Sequence, residues 1–334
     1  MNIAIVGATG NVGRKLLEVL ERTNFEFSEI YLIASDKSVG KKITFKNKNY
    51  SVIGLSDFDF GKVKLAFFSA GSSIAEKWAP IAAKKTIVID NSKYFRMDKE
   101  IPLVVPEVNG EALKAYKNKN IIANANCSTI QLVLALKPLH DQFKIKRVIV
   151  STYQSVSGAG KVHMNELEEQ SKLVLEKQKV NSKNFTKQIA FNVIPHIDSF
   201  MQDGSTKEEW KMTVETKKIL DPNIALTSTC VRVPVFVGHS ESVNIEFKSE
   251  INLKKIRQCL TNAPGCKVHD EHKDGGYITP VESAGDFITY ISRIREDKTQ
   301  KNSINMWIVS DNLLKGAALN AVQIATVLIK KYIN

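Results

Sequence analysis

The first twenty residues constrain the fold more than any other segment. Residues 2–6 (NIAIV) form a short apolar run, and Gly7-Ala8-Thr9-Gly10-Asn11-Val12-Gly13 follows at once. Behind that loop Val12, Leu16, Leu17 and Leu20 recur at helical spacing, so the order is strand, tight turn, helix. Glycines let the backbone approach a pyrophosphate closely, and the helix N-terminus adds unpaired N–H groups and the positive end of its dipole. The loop therefore predicts a dinucleotide site. Its GxxGxxG spacing departs from the commoner GxGxxG, and a purely structural turn is the alternative.

Further strand-like runs follow at Ile30–Ala34, Leu65–Phe68, Thr86–Ile89 and Asn120–Ala123, separated by helical segments such as Ile74–Ala83. Alternation of this kind implies a parallel sheet wound by crossover connections, an α/β class with a Rossmann-like N-terminal domain. From about Ile145 longer alternating strands appear at Arg147–Ser155, Thr229–Phe236, Val243–Phe247 and Phe287–Ile294. They predict an α+β domain with a mostly antiparallel sheet. A helix is expected near His163–Lys179, an exposed loop at Lys267–Gly276, and a buried terminal helix over Leu313–Ile333, which is apolar on more than one face. No internal repeat is present. A length of 334 residues suits about two domains.

With 43% apolar and 25% charged residues, the chain reads as folded throughout. Its best apolar run, Ile130–Leu136, is interrupted by Gln131 and falls short of the roughly 18 residues a membrane span needs. The N-terminus lacks the pattern of a signal peptide, so a cytoplasmic location is expected. Cys127, Cys230, Cys259 and Cys266 show no paired spacing and read as free thiols. A net charge of +12 would draw in anions, nucleic acid or phosphorylated metabolites among them.

Cofactor choice is decided after the second strand, at Ala34-Ser35-Asp36-Lys37-Ser38. Asp36 alone would accept a ribose 2′-hydroxyl, whereas Ser35, Ser38, Lys37, Lys41 and Lys42 suit a 2′-phosphate, and the balance favours NADP. In Asn124-Ala125-Asn126-Cys127-Ser128-Thr129 a cysteine opens an apolar helix that Pro138 is expected to end. A helix dipole stabilises a thiolate, so Cys127 is either a nucleophile or a structural thiol. Tyr153-Gln154-Ser155-Val156-Ser157-Gly158-Ala159-Gly160 ends a strand in a loop; Gln154 can orient a carbonyl there, or the segment is a plain turn. Glu208 and Lys211, three apart in EEWK, face one ligand or form a surface ion pair. Arg232 and His239 are seven apart and converge only if the chain bends, for which Pro234 and Gly238 are the places. Such an arginine clamps carboxylates, and such a histidine serves as acid and base. His140, His163 and His196 are read as structural. Cys266, His269 and His272 recur at intervals of three, but no fourth ligand lies near and no metal site is expected.

Taken in order, the glycine loop, NCST, YQSVSGAG, EEWK and RVPVFVGHSES resemble the aspartate-semialdehyde dehydrogenases of bacterial type over nearly the whole chain. The resemblance implies a dinucleotide domain of residues 1–126 with 313–334 and a catalytic and dimerisation domain of residues 127–312. It implies NADPH-dependent reduction of aspartyl phosphate to aspartate semialdehyde and phosphate, toward lysine, threonine, methionine and diaminopimelate. Cys127 is then similar to the family's nucleophile, His239 to its acid-base partner, and Gln154 to the group that orients the acyl carbonyl, with Asn126 as helper. Arg232 would bind the substrate α-carboxylate, Glu208 its α-amine, and Arg96 and Lys211 the phosphate. Gly7, Thr9, Gly10, Asn11, Val12, Gly13, Ser35, Lys37, Ser38, Ser157, Gly158 and Asn312 match cofactor contacts. A homodimer is expected, with a tetramer as the second option, and neither nucleic acid nor membrane as partner.

Two alternatives compete. N-acetyl-γ-glutamyl-phosphate reductase shares the fold but sets its cysteine in Pro-Gly-Cys, where this chain has Ala125-Asn126-Cys127. A non-catalytic dinucleotide-binding regulator would explain the loop and the charge but not the cysteine, glutamine, arginine and histidine together. No helix-turn-helix or aromatic-basic pattern supports nucleic-acid binding.

Overall fold

A computed structural model describes residues 1–333. They form two compact units, one from residues 1–125 together with the chain from Ala317 onward, the other from Asn126 to Gly316. In the first unit β1 (Ile3–Val6) leads through α1 (Asn11–Arg22) to β2 (Ile30–Ala34), and a small antiparallel hairpin follows, β3 (Lys42–Phe45) and β4 (Lys48–Ser51). Then come β5 (Ile53–Gly54), β6 (Leu65–Phe68), α2 (Ser72–Ala83), β7 (Ile87–Asp90), β8 (Leu103–Val104), the short α3 (Pro106–Asn109) and β9 (Ile121–Asn124).

Seven of these strands make one parallel sheet, in the order β5-β2-β1-β6-β7-β9-β8. Every residue of β1, β6, β7 and β9 is buried, which is why these strands are continuous apolar runs rather than alternating ones. β1 lies between β2 and β6, so the chain leaves its two sides in opposite directions. The carboxyl end of β1 is thus the topological switch point, and the glycine loop begins there.

The second unit opens with α4 (Cys127–Phe143), β10 (Ile145–Gln154), α5 (Lys161–Leu175) and α6 (Lys207–Ile219). It continues with β11 (Ala225–Arg232), β12 (His239–Phe247), α7 (Leu253–Thr261), β13 (Cys266–Val268), α8 (Pro280–Ser283), β14 (Thr289–Glu296) and β15 (Ser303–Ser310). Its six strands run in the order β11-β10-β12-β15-β14-β13, with β10–β12, β12–β15 and β14–β15 antiparallel and the two edge pairs parallel. Leu132, Leu136 and Leu139 of α4 pack with Val150, Val243, Ile245, Met306 and Ile308 on the inner face of the sheet. On the other face Ile149 and Tyr153 are exposed. A π-helical turn, Leu314–Ala318, then leads into α9 (Leu319–Leu328), which returns to the first unit. There the Asn320 amide donates to the Val104 carbonyl at 3.0 Å and to Asn124 Oδ1 at 2.6 Å, tying α9 to β8 and β9.

Several local expectations are corrected. Pro138 does not end α4, which runs five residues further. Proline removes one N–H and disfavours a helix interior, yet Leu136, Leu139 and Phe143 on either side are held in the core. The expected strand Thr229–Phe236 begins earlier and stops at Arg232. Lys267–Gly276 is not loop throughout: Lys267 and Val268 belong to β13, and the buried Asp270 carboxylate pairs with Arg257 at 2.5 Å and accepts from the N–H groups of Arg293 and Ile294. The terminal helix is regular only over Leu319–Leu328, with π-helical turns on both sides.

Candidate active site

Strand direction brings the second unit's polar residues together. Gln154 is the last residue of β10, Arg232 the last of the parallel β11, and His239 the first of the antiparallel β12, so all three reach the same end of the sheet. Gly238, at φ +98°, lies immediately before His239 and supplies the bend that an odd spacing requires. Arg232 and His239 flank Gly158: a Cβ there would lie 3.0 Å from His239 Nε2 and 3.3 Å from an Arg232 guanidinium nitrogen.

Ser155 fixes both groups through its backbone. Its N–H donates to His239 Nδ1 at 3.0 Å, and its carbonyl accepts from Arg232 at 2.7 Å. With Nδ1 accepting, the neutral imidazole carries its proton on Nε2. Burial and the Arg232 cation push the His239 pKa down to about 3. The ring therefore stays neutral at physiological pH and presents an Nε2–H. Asn312 Oδ1 accepts from the Ser155 and Ser157 hydroxyls and from the Gly238 N–H, pinning the loop after β10 to the bend before β12.

Cys127 is the first residue of α4, half-buried, and the cap belongs to its neighbour: Asn126 Oδ1 accepts from the N–H groups of Ser128 and Thr129. Gly316 lies against the cysteine, since a Cβ there would sit 2.9 Å from Cys127 Cβ. Glu208 and Lys211 pair on α6, but buried rather than on the surface, at 4% and 8% exposure. Glu208 Oε1 also accepts from the side-chain amides of Asn126 at 3.0 Å and Gln154 at 3.1 Å. Burial alone would raise this carboxyl; Lys211 and the two amides outweigh it and hold the pKa at about 2. Lys211 is shared with Asp198 at 3.3 Å.

The remaining candidates lie in the first unit. Arg96 is buried, its guanidinium donating to the carbonyls of Asn124 at 2.9 Å and Asn91 at 3.1 Å. Ser38 is buried, whereas Ser35, Asp36 and Lys37 are exposed just beyond β2. Gly10 caps α1 with no side-chain hydrogen bond, and no acidic residue occupies the first turn, an arrangement that suits an anion. Gly7 (φ +90°) passes Ser69 so closely that a Cβ would lie 2.6 Å from its carbonyl oxygen; one on Gly13 would lie 2.2 Å from the Gly7 carbonyl oxygen. Because both obstacles are backbone, Gly13→Ala is expected to cost about 3 kcal/mol or more. Gly10→Ala, with its nearest protein contact at 3.4 Å, should leave stability unchanged. Thermal melts compare the two; equal melting temperatures would refute the steric account.

Sequence reasoning passed over Ser155, Glu215, Gly316 and Glu241. Glu241 lies two residues beyond His239, on the same face of β12, fully buried between register partners Thr152 and Ile308. Among the described residues neither of its oxygens finds a hydrogen-bond partner by geometry, and Gln131 is the polar group beside it. Burial holds its pKa well above the usual carboxyl range, which favours the protonated form in the folded chain. The unfolded chain gives up this proton at lower pH than the folded chain does, so the residue lowers stability as pH rises. Glu241→Gln should therefore be stabilising relative to the parent, by an increment that widens as pH rises through and above the usual carboxyl range. Urea denaturation at pH 5, 6 and 7 tests this, and a pH-independent difference would rule it out.

Among the described residues no group of three or more His, Cys, Asp or Glu could hold a metal ion, and no helix is long and apolar enough to cross a membrane.

Comparison with known proteins adds to this geometry. The family model described as semialdehyde dehydrogenase, NAD binding domain, matches residues 2–116, and the one described as semialdehyde dehydrogenase, dimerisation domain, matches residues 136–315. Aspartate-semialdehyde dehydrogenases of Rickettsia bellii and Aquifex aeolicus are 50% and 51% identical, over 99% and 98% of this chain and 98% of each relative. The crystal structure of aspartate semialdehyde dehydrogenase II from Vibrio cholerae, complexed with ASA, superimposes with a TM-score of 0.97 at 47% identity, covering 99% of this chain and 98% of that one. The Candida albicans enzyme, solved with NADP, matches at TM-score 0.76 and 26% identity over 100% of this chain and 99% of its own. Half the residues are shared end to end with curated relatives of one name, and this chain belongs to the aspartate-semialdehyde dehydrogenase family.

Proposed function

We propose that this oxidoreductase reduces L-aspartyl 4-phosphate to L-aspartate 4-semialdehyde and phosphate with NADPH, and runs the phosphorylating oxidation in reverse. The observation that carries the reading is Cys127 at the N-terminus of α4, in the unit where a buried cation, Arg232, and a buried carboxylate, Glu208, are also held. An α-amino acid with a reactive side-chain acyl group needs those three complements. Arg232 matches its carboxylate, Glu208 its ammonium, and Cys127 its acyl carbon.

In the forward direction Cys127 attacks the acyl carbon, the C–S bond forms, and the C–O bond to phosphate breaks. Lys211 and Arg96 take up charge on the departing phosphate. His239 donates from Nε2 to the acyl oxygen or to the sulfur. Accepting a proton at that nitrogen would require Nδ1 to give up its bond from Ser155. Gln154 orients the carbonyl, and Cys127 holds the acyl group as a thioester until hydride is added; the C–S bond of the resulting thiohemiacetal then breaks, the aldehyde C=O re-forms and the cysteine leaves as thiolate. The hydride that reduces this thioester would come from a reduced nicotinamide cofactor. Gly7, Thr9, Gly10, Asn11, Val12 and Gly13 would hold its pyrophosphate, Ser35, Lys37 and Ser38 a 2′-phosphate, and Ser157, Gly158 and Asn312 the nicotinamide end.

The exposed face of the mixed sheet, with Ile149 and Tyr153 at 37% and 36% exposure, supports a homodimer joined there. Amino-acid biosynthesis in the cytoplasm is the setting this chemistry implies. The test is absorbance at the reduced-nicotinamide band with aspartate semialdehyde and NADP, with and without phosphate, and with N-acetylglutamate semialdehyde in parallel. Phosphate-dependent reduction of NADP with the aspartate compound alone is expected. Preference for the acetylated compound would overturn the substrate, and no reaction with either would overturn the activity.

A further inference from the structure

We infer that Glu215 is a positioning residue that holds the Cys127 nucleophile in register, a role that rests on the reading of Cys127 just given. Glu208 and Glu215 are seven apart on α6, two helical turns, and therefore share a face. Both carboxylates grip the same residue. Glu208 Oε1 accepts from the Asn126 side-chain amide at 3.0 Å, and Glu215 Oε2 accepts from the Asn126 backbone N–H at 2.6 Å. Asn126 in turn spends its Oδ1 on the N–H groups of Ser128 and Thr129, which fixes its amide orientation with Nδ2 toward Glu208.

Cys127 is thus bracketed. The residue before it is anchored at both backbone and side chain, and the two residues after it are capped by that same anchored side chain. Glu215 has 0% exposure, so water is not at hand to replace its oxygen on the Asn126 N–H. Gly316 closes the other side of the cysteine. Glu208 is the group proposed to meet the substrate amine, and it makes one of the two grips. Glu215, the other, is the grip that stays in place whatever binds at Glu208.

Glu215→Gln keeps a carbonyl oxygen able to accept the Asn126 N–H, whereas Glu215→Ala removes the acceptor. A displacement of the reacting atom by about 1 Å can cost on the order of 10²-fold in rate. Glu215→Ala should therefore lose about 10- to 100-fold in kcat, with KM for aspartate semialdehyde within about threefold of the parent. Glu215→Gln should retain kcat within about fivefold. Iodoacetamide alkylation of Cys127, followed by mass spectrometry across pH in the absence of substrate, provides a readout that general loosening of α6 would not reproduce. Its rate profile should change in Glu215→Ala, while alkylation of Cys259 and Cys266 stays as in the parent. Parent-like kcat and Cys127 alkylation in folded Glu215→Ala would overturn the proposal, as would equal kcat loss in both variants. Full activity in Cys127→Ser would instead overturn the nucleophile assignment itself, so the two failures are distinguishable.

Discussion

Cys127→Ser is expected to lower kcat by on the order of 10⁴-fold or more while leaving NADPH binding and thermal stability as in the parent. The substitution changes one atom, and the helix start does not depend on that atom. Asn126 caps α4 through its own side chain, Glu215 and Glu208 hold Asn126, and none of these bonds uses the sulfur. The glycine-loop residues proposed to hold the cofactor lie in the first unit, whose internal bonds likewise do not involve residue 127. Nucleophilicity is what is lost. A serine hydroxyl needs a base to become an effective nucleophile, and the residue proposed to assist is His239, which offers Nε2–H while its Nδ1 receives the Ser155 N–H. A thiol ionises unaided far more readily. Rapid-mixing experiments with phosphate and semialdehyde should show no burst of reduced nicotinamide in the serine variant. Turnover within tenfold of the parent would remove Cys127 from the mechanism, and loss of NADPH binding alongside turnover would point to misfolding.

The elements that organise the first unit were legible because parallel strands buried on both faces leave uninterrupted apolar runs. Ile30–Ala34 and Leu65–Phe68 coincide with β2 and β6 residue for residue. In the second unit one sheet face is only partly covered, and β15, with its polar Ser303, Asn305 and Ser310 among apolar residues, passed unnoticed. The residues around the sheet end were visible one by one, yet their convergence was not. It depends on β11 running parallel and β12 antiparallel to β10, a pairing between segments about eighty residues apart in sequence that no local pattern encodes. Glu215 had a signal, its spacing of seven from Glu208 on one helix, though spacing does not say which backbone the carboxylate will meet. Gly316 and Ser155 had none, because the one acts by lacking a side chain and the other through its main chain.

Replacing Arg232 by leucine should separate substrate binding from cofactor binding more sharply than any other change. The guanidinium is 8% exposed, and among the described residues its hydrogen bonding is a single donation to the Ser155 carbonyl. Four of its five N–H groups are thus available at a site with little water, which is costly for a cation until an anion arrives. Its backbone is secured separately, by paired hydrogen bonds with Ile194 at 2.8 and 2.9 Å that leucine preserves. Glu208 is the nearby countercharge, but it is held chiefly by Lys211, Asn126 and Gln154, so loss of the guanidinium leaves it paired and the melting temperature should change little. Charge-assisted bonds to a carboxylate contribute up to about 3 kcal/mol, and kcat/KM for aspartate semialdehyde should fall about 10²-fold, chiefly through KM. NADPH affinity should not change. A second signature follows from electrostatics. Burial and the Arg232 cation together hold His239 at about 3, and removing the cation leaves burial opposed by the Glu208 carboxylate, so the imidazole should titrate at higher pH in the variant, as nitrogen-detected NMR of labelled protein would register. An unmoved His239 titration would mean that burial alone sets it, and equal losses of substrate and cofactor binding would deny Arg232 the carboxylate.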